Sequence, residues 1–173
     1  MESSARGERA EVPARSERSD RSPAQWFCLV IGATLVLIGL LGFLAEAKFD
    51  TSSGGDPGAL DGENLIIFEV NGWHNVVHIL SGVFLLVMAG RHSTARAGAL
   101  AFAAIYGVVT VIGLIDGHDV VGLIPINPAD NILHILLTVT ALAAGLAPWR
   151  ERAHGNRGRD VGARGSGQQR RAT

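Results

Sequence analysis

The sequence predicts an all-α membrane protein, a bundle of four transmembrane helices, on three observations. First, four stretches contain no Asp, Glu, Lys or Arg: Ser22–Ala45, Val70–Gly90, Ala97–Ile115 and Asn131–Trp149, of 24, 21, 19 and 19 residues. Each can cross a hydrocarbon core of about 30 Å. Second, Lys and Arg gather on one side of the spans. Third, the heads of the second and fourth stretches carry the same polar pattern. With 47% hydrophobic and only 18% charged residues, a soluble alternative would need nearly every helix to be apolar all round, whereas helices in water keep a polar face.

Residues 1–24 mix Arg, Glu, Asp and Ser with almost nothing apolar to bury, and are expected to be a disordered tail. The first span, about 26–45, follows more than twenty polar residues and precedes three further spans. It reads as an uncleaved helix rather than a secretion signal. Cys28 is the single cysteine, which excludes an intramolecular disulfide and a cysteine-cluster metal site. It is expected to pack as a small apolar group. The long loop that follows contains "LIIF" at 65–68, suited to rest in the headgroup layer. The remaining spans are placed at about 72–90, 96–116 and 129–148, giving one transmembrane domain over 25–149.

Close helix contacts are expected at Gly32 and Gly39, at the Gly113/Gly117 pair, and at the small pairs Ala103/Gly107 and Ala141/Gly145. Trp26, Trp73 and Trp149 fall near helix ends, where indole rings anchor at the interface. Residues 150–173 form a Gly-rich basic tail whose expected neighbours are anionic headgroups. No aromatic residue is interleaved with its arginines to stack on bases, so no nucleic-acid partner is expected.

Five arginines precede the first span, Lys48 lies in the first loop, Arg91 and Arg96 in the second, none in the third, and seven arginines follow the fourth. The bias places both termini and the middle loop in the cytoplasm. The outer segments are acidic, with Glu46, Asp50, Asp56, Asp61, Glu63, Glu69, Asp116, Asp119 and Asp130.

The repeat aligns Asn71 with Asn127, Asn75 with Asn131 and His78 with His134, an offset of 56 residues; "IGLLG" at 38–42 aligns with "IGLID" at 112–116 at an offset of 74. This predicts two tandem helical hairpins in parallel orientation. In "NPADN", Asn127 suits the N-cap, Pro128 the first helical position and Asp130 the first turn; Asn71 is the corresponding cap of the second helix. Asn71, Asn75, Asn127, Asp130 and Asn131 are thus polar helix heads that hold structure.

His74 lies four residues before His78 and shares its helix face. Polar groups at this depth turn inward. One reading has the histidines hydrogen-bond across the bundle and fix its packing. The other brings His74, His78 and His134 together with Asp116, or Asp119, as an outward metal or pH-responsive site taking a divalent ion. "HNVVH" lacks the Glu that follows the first His in zinc proteases, so protease chemistry is not supported. His118 is expected to be a solvated loop residue.

The combination of "FEVNGWHNVVHILSGVFLL" at 68–86, "YGVVTVIGLI" at 106–115 and "GLIPINPADNILHILLTVTALAAGL" at 122–146 resembles the bacterial membrane proteins grouped as domain of unknown function 4383, over roughly residues 24–149. The resemblance implies four helices and an address in the bacterial cytoplasmic membrane. It falls on Asn71, Trp73, His74, Asn75, His78, Gly122, Pro125, Asn127, Pro128, Asp130, Asn131 and His134, and brings no activity, cofactor or catalytic residue.

The leading expectation is therefore a non-enzymatic structural or accessory membrane protein that binds lipid, a second copy or another membrane protein. The alternatives are the histidine-based metal or pH-responsive protein and a component of a small-solute transporter.

Overall fold

The structure, a computed structural model, describes residues 21–51, 60 and 62–149. Four helices make the body: α1 (Pro23–Ala45), α2 (Gly72–Met88), α3 (His92–Asp116) and α4 (Pro128–Leu146). α1, α3 and α4 are long and apolar enough to cross a membrane, while α2 has 17 residues and carries no Asp, Glu, Lys or Arg. The disorder expected for the two tails lies outside the described residues, apart from residues 21–24, where Ser22 caps α1 and Pro23 and Ala24 begin it.

That start is a capping box. The Ser22 hydroxyl accepts the Gln25 backbone N–H at 3.3 Å, the Gln25 side-chain Oε1 accepts the Ser22 N–H at 3.0 Å, and Pro23 occupies the first helical position. α3 likewise begins four residues before its expected bound. A charged residue does not end a helix: Arg96 lies along α3 and its Nε donates to the Gly145 carbonyl at 3.0 Å, covering an orphan acceptor in the last turn of α4.

α1 packs chiefly on α2, α3 on α4, and the two pairs on each other. Phe27, Leu35, Leu85, Phe102, Tyr106 and Leu137 fill the middle. Large apolar residues such as Leu37, Leu44, Val87, Val108, Ile115 and Val139 point outward, the arrangement suited to a lipid environment. Hydroxyls of Thr34, Thr110, Thr138 and Thr140 bond back to carbonyls of their own helices. Cys28 is buried, its Sγ 3.5 Å from the Ala95 carbonyl.

Glycines set the closest approaches. Gly32 and Gly82 face each other across α1 and α2 so tightly that a Cβ on Gly82 would come within 2.6 Å of the Gly32 carbonyl oxygen. Gly42 lies directly under the Asn75 amide, and Gly113 under the Asn131 amide. These two contacts correct the expected alignment of the first and third helices, because they pair Gly42 with Gly113, one turn away from the "IGLLG"/"IGLID" register. They also correct the role given to Gly117. Among the described residues nothing lies within 4 Å of where its Cβ would stand, and it instead ends α3 at φ +86°, a left-handed cap that glycine adopts without a Cβ penalty.

The outer loops contain two short antiparallel β-hairpins absent from the sequence reading, β1 (Glu63–Leu65) with β2 (Phe68–Val70), and β3 (Asp119–Val120) with β4 (Ile124–Pro125). The "LIIF" segment spans the first turn, where Ile66 and Ile67 are exposed. Each turn holds a β-branched residue at positive φ, Ile66 at 65° and Val121 at 52°, a conformation that persists only where surrounding contacts enforce it.

Those contacts come from the helix caps, and they are reciprocal. Asn71 accepts the His74 N–H as the cap of α2 and donates its amide to the Leu123 carbonyl at 2.9 Å; Asn127 accepts from Ala129 and Asp130 as the cap of α4 and donates to the Ile67 carbonyl at 2.9 Å. Each cap thus holds the other pair's hairpin. Below them, Asn75 donates to the Glu46 carbonyl at 2.8 Å and Asn131 to the Gly113 carbonyl at 3.3 Å. Asn131→Ala is expected to lower the detergent melting temperature through loss of about 1 kcal/mol; an unchanged melting curve would show that this bond holds nothing.

Candidate metal centre

Just inside the helix heads, α2 and α4 bring three histidines together. His74, His78 and His134 are 2%, 4% and 3% exposed. One ring nitrogen from each lies within 4.8 Å of the others. The His74 and His78 rings are 4.4 Å apart and the His74 and His134 rings 6.2 Å. The spacing follows from the helices: His74 and His78 are one turn apart on one face of α2, and the α4 head is docked against it with His134 one turn below Asp130.

The hydrogen-bond inventory is incomplete. His74 Nδ1 bonds the Glu69 carbonyl at 2.8 Å, so this nitrogen carries the proton and Nε2 keeps its lone pair. Among the described residues, His74 Nε2, both nitrogens of His78 and Nδ1 of His134 are buried without a hydrogen-bond partner. The Pro125 carbonyl lies near the His74 ring but forms no well-aligned bond with Nε2. A packing role for these histidines requires hydrogen bonds to neighbouring helices, and the one ring bond found among the described residues, from His74 Nδ1, goes to strand β2 instead. Buried polar atoms are nearly always paired, so a group of four that are not calls for a ligand.

Three imidazoles are a sufficient donor set for a borderline transition-metal ion, and the buried cluster can hold one. Zinc–nitrogen bonds of about 2.1 Å set tetrahedral ligands about 3.4 Å apart, so closure on an ion needs movements of about an ångström. The His74–carbonyl bond is the outer support that ligating histidines usually have.

Asp116 does not join the cluster. It is exposed, and its Oδ1 accepts the backbone N–H groups of His118 at 3.4 Å and Asp119 at 3.1 Å, closing the turn after α3. A carboxylate that can satisfy itself with N–H groups two and three residues on is drawn into its own turn. Asp119 likewise accepts from Gly122 N–H at 2.6 Å, and His118 is exposed as expected.

Two neighbours escaped the sequence reading. Tyr106 of α3 sets its ring edge-on to His134, 5.6 Å between centroids, and its buried hydroxyl lies near the Ser81 side chain without a well-aligned bond among the described residues. As the sole tyrosine, placed inside a charge-free span, it was the one available signal. The other is the backbone of Glu69, invisible as a side-chain pattern. Its carbonyl receives His74, and its N–H donates at 3.0 Å to Oδ2 of the buried Asp130, which also accepts the Asn127 N–H at 3.0 Å to complete the α4 capping box.

Among known proteins, a family model described as a domain of unknown function (DUF4383) matches residues 25–147. No curated protein and no solved structure gives a significant match.

Proposed function

We propose that this chain, which belongs to the DUF4383 family, is a multi-span membrane protein that binds a divalent transition-metal ion between His74, His78 and His134. The observation that carries the reading is the convergence of buried ring nitrogens that have no other partner. The donor set is nitrogen only, which favours zinc-like ions over magnesium or calcium. Three protein ligands leave a fourth position for water or a small ligand. The accessory role expected from composition assigned these rings to helix packing, which leaves their nitrogens unpaired. Transport gains little from the threonines of the spans, since the hydroxyls of Thr34, Thr110, Thr138 and Thr140 are used within their own helices.

The proposed topology has four spans with both termini in the cytoplasm and the metal site near the outer surface. α2 is carried across with α1, because the two meet at both ends: Gln25 at the start of α1 donates to the Ala89 and Gly90 carbonyls after α2, while Asn75 in the first turn of α2 donates to Glu46 after α1. The offset of 56 residues relates the caps, Asn75 with Asn131 and the acceptors Ile67 with Leu123, while the glycines under the two amides, Gly42 and Gly113, repeat at 71; this pattern supports two duplicated hairpins. Arginine distribution supports the orientation.

Metal analysis of the full chain purified in detergent tests the reading. One equivalent of zinc or a similar ion is expected after dialysis against trace metal, and none in the His78→Ala/His134→Ala protein. Equal metal content in the two proteins, or none in either, would overturn it.

A further inference from the structure

Resting on that metal reading, we infer that Asp130 is a positioning residue for the site, acting on His74 through the backbone of Glu69. Asp130 is 1% exposed, and its place in the first turn of α4 explains only one of its bonds, the one from Asn127. The other reaches 61 residues back to the N–H of Glu69. The carbonyl of that same residue holds His74 Nδ1. Glu69 is therefore gripped from both sides, by a carboxylate on its N–H and an imidazole on its oxygen.

The grip matters because β2 is a three-residue strand paired only with β1. A strand this short has little rigidity of its own. With its N–H anchored to α4, the Glu69 carbonyl becomes a fixed acceptor, which sets both the tautomer and the ring plane of His74 and turns Nε2 toward His78 and His134. α4 thereby serves the site twice, supplying His134 directly and orienting His74 from one turn above. Asp130 also occupies, at the 56-residue offset, the position that His74 holds in α2; the two equivalent side chains close on opposite ends of one residue.

The experiment is zinc affinity of the full chain in detergent, by competition with a chromophoric chelator. Asp130→Ala is expected to weaken binding about 10- to 100-fold, the range found when a ligand's outer support is lost. Asp130→Asn, which restores an oxygen acceptor, is expected to recover most of it. Asn131→Ala destabilises the neighbouring turn without touching Glu69 and is expected to leave affinity unchanged. A second pair keeps the test decisive if Asp130→Ala does not fold. Glu69→Pro deletes the N–H that faces Asp130, whereas Glu69→Ala removes only the side chain, whose Oε1 accepts the Gly62 N–H. Proline is expected to weaken zinc binding and alanine to spare it.

Unchanged affinity in both Asp130→Ala and Glu69→Pro, no recovery in Asp130→Asn, or an equal loss in Asn131→Ala would overturn the inference while leaving the metal site standing. Absence of zinc from the unaltered protein would overturn both.

Discussion

Gly42→Ala is expected to lower the melting temperature sharply, and Gly42→Leu to remove folded protein from detergent extracts. A Cβ at this position collides with the Asn75 side-chain oxygen and comes within 2.6 Å of its Cγ. Asn75 cannot step aside cheaply. It is fully buried, and its amide nitrogen is held by the Glu46 carbonyl at 2.8 Å. Overpacking of this kind costs about 1–3 kcal/mol for one methyl and more for a larger group. Adding Asn75→Ala vacates the contested space, so the double variant is expected to regain part of the loss, a coupling a double-mutant cycle reads directly. A Gly42→Ala protein that melts like the original, with no coupling to position 75, would show that α1 and α2 do not approach so closely.

Zinc at about a thousand times its dissociation constant is expected to stabilise the folded protein by about 4 kcal/mol. The size follows from mass action alone, provided the ion binds only where the three rings meet. His78 and His134 come from helices far apart in sequence, so the unfolded chain offers no comparable site. Thermal or chemical denaturation in detergent, with and without zinc, measures the gain. It is expected to vanish in His78→Ala/His134→Ala. A shift of equal size in that variant would locate the effect elsewhere on the protein.

The helix heads were legible because capping is local. Asn127, Pro128 and Asp130 announce a helix start within four residues, and Asn71 follows by the repeat. Absence of charge located the helical stretches, and for α1 the stretch Ser22–Ala45 coincides with the cap and the helix, but the start of α3 was placed late because Arg96 stays helical by reaching a carbonyl of α4. The hairpins were hidden for a chemical reason. A two-residue turn is usually signalled by Asn-Gly or a similar pair, whereas Ile66–Ile67 offers only branched apolar side chains, with Ile66 at positive φ and the Ile67 carbonyl held by a bond from Asn127.

The site was half legible. Helical spacing put His74 beside His78, and the repeat singled out His134. No sequence pattern gives the distance between two helices, nor which nitrogen lacks a partner. Asp116 shares the histidines' end of the bundle, as its place in the sequence implies, but its own turn claims it.

The reciprocal caps carry a consequence for synthesis. The amide of Asn71 finds its acceptor 52 residues later, at Leu123. At about 5–20 residues per second, the first pair of helices emerges several seconds before its head can be completed. During that interval Asn71 lacks its carbonyl, and the two histidines of α2 lack the third. Only when the second pair arrives does each cap receive what the other half supplies, so the outer end of the bundle closes in one late step, and the pocket for the ion comes into being with it.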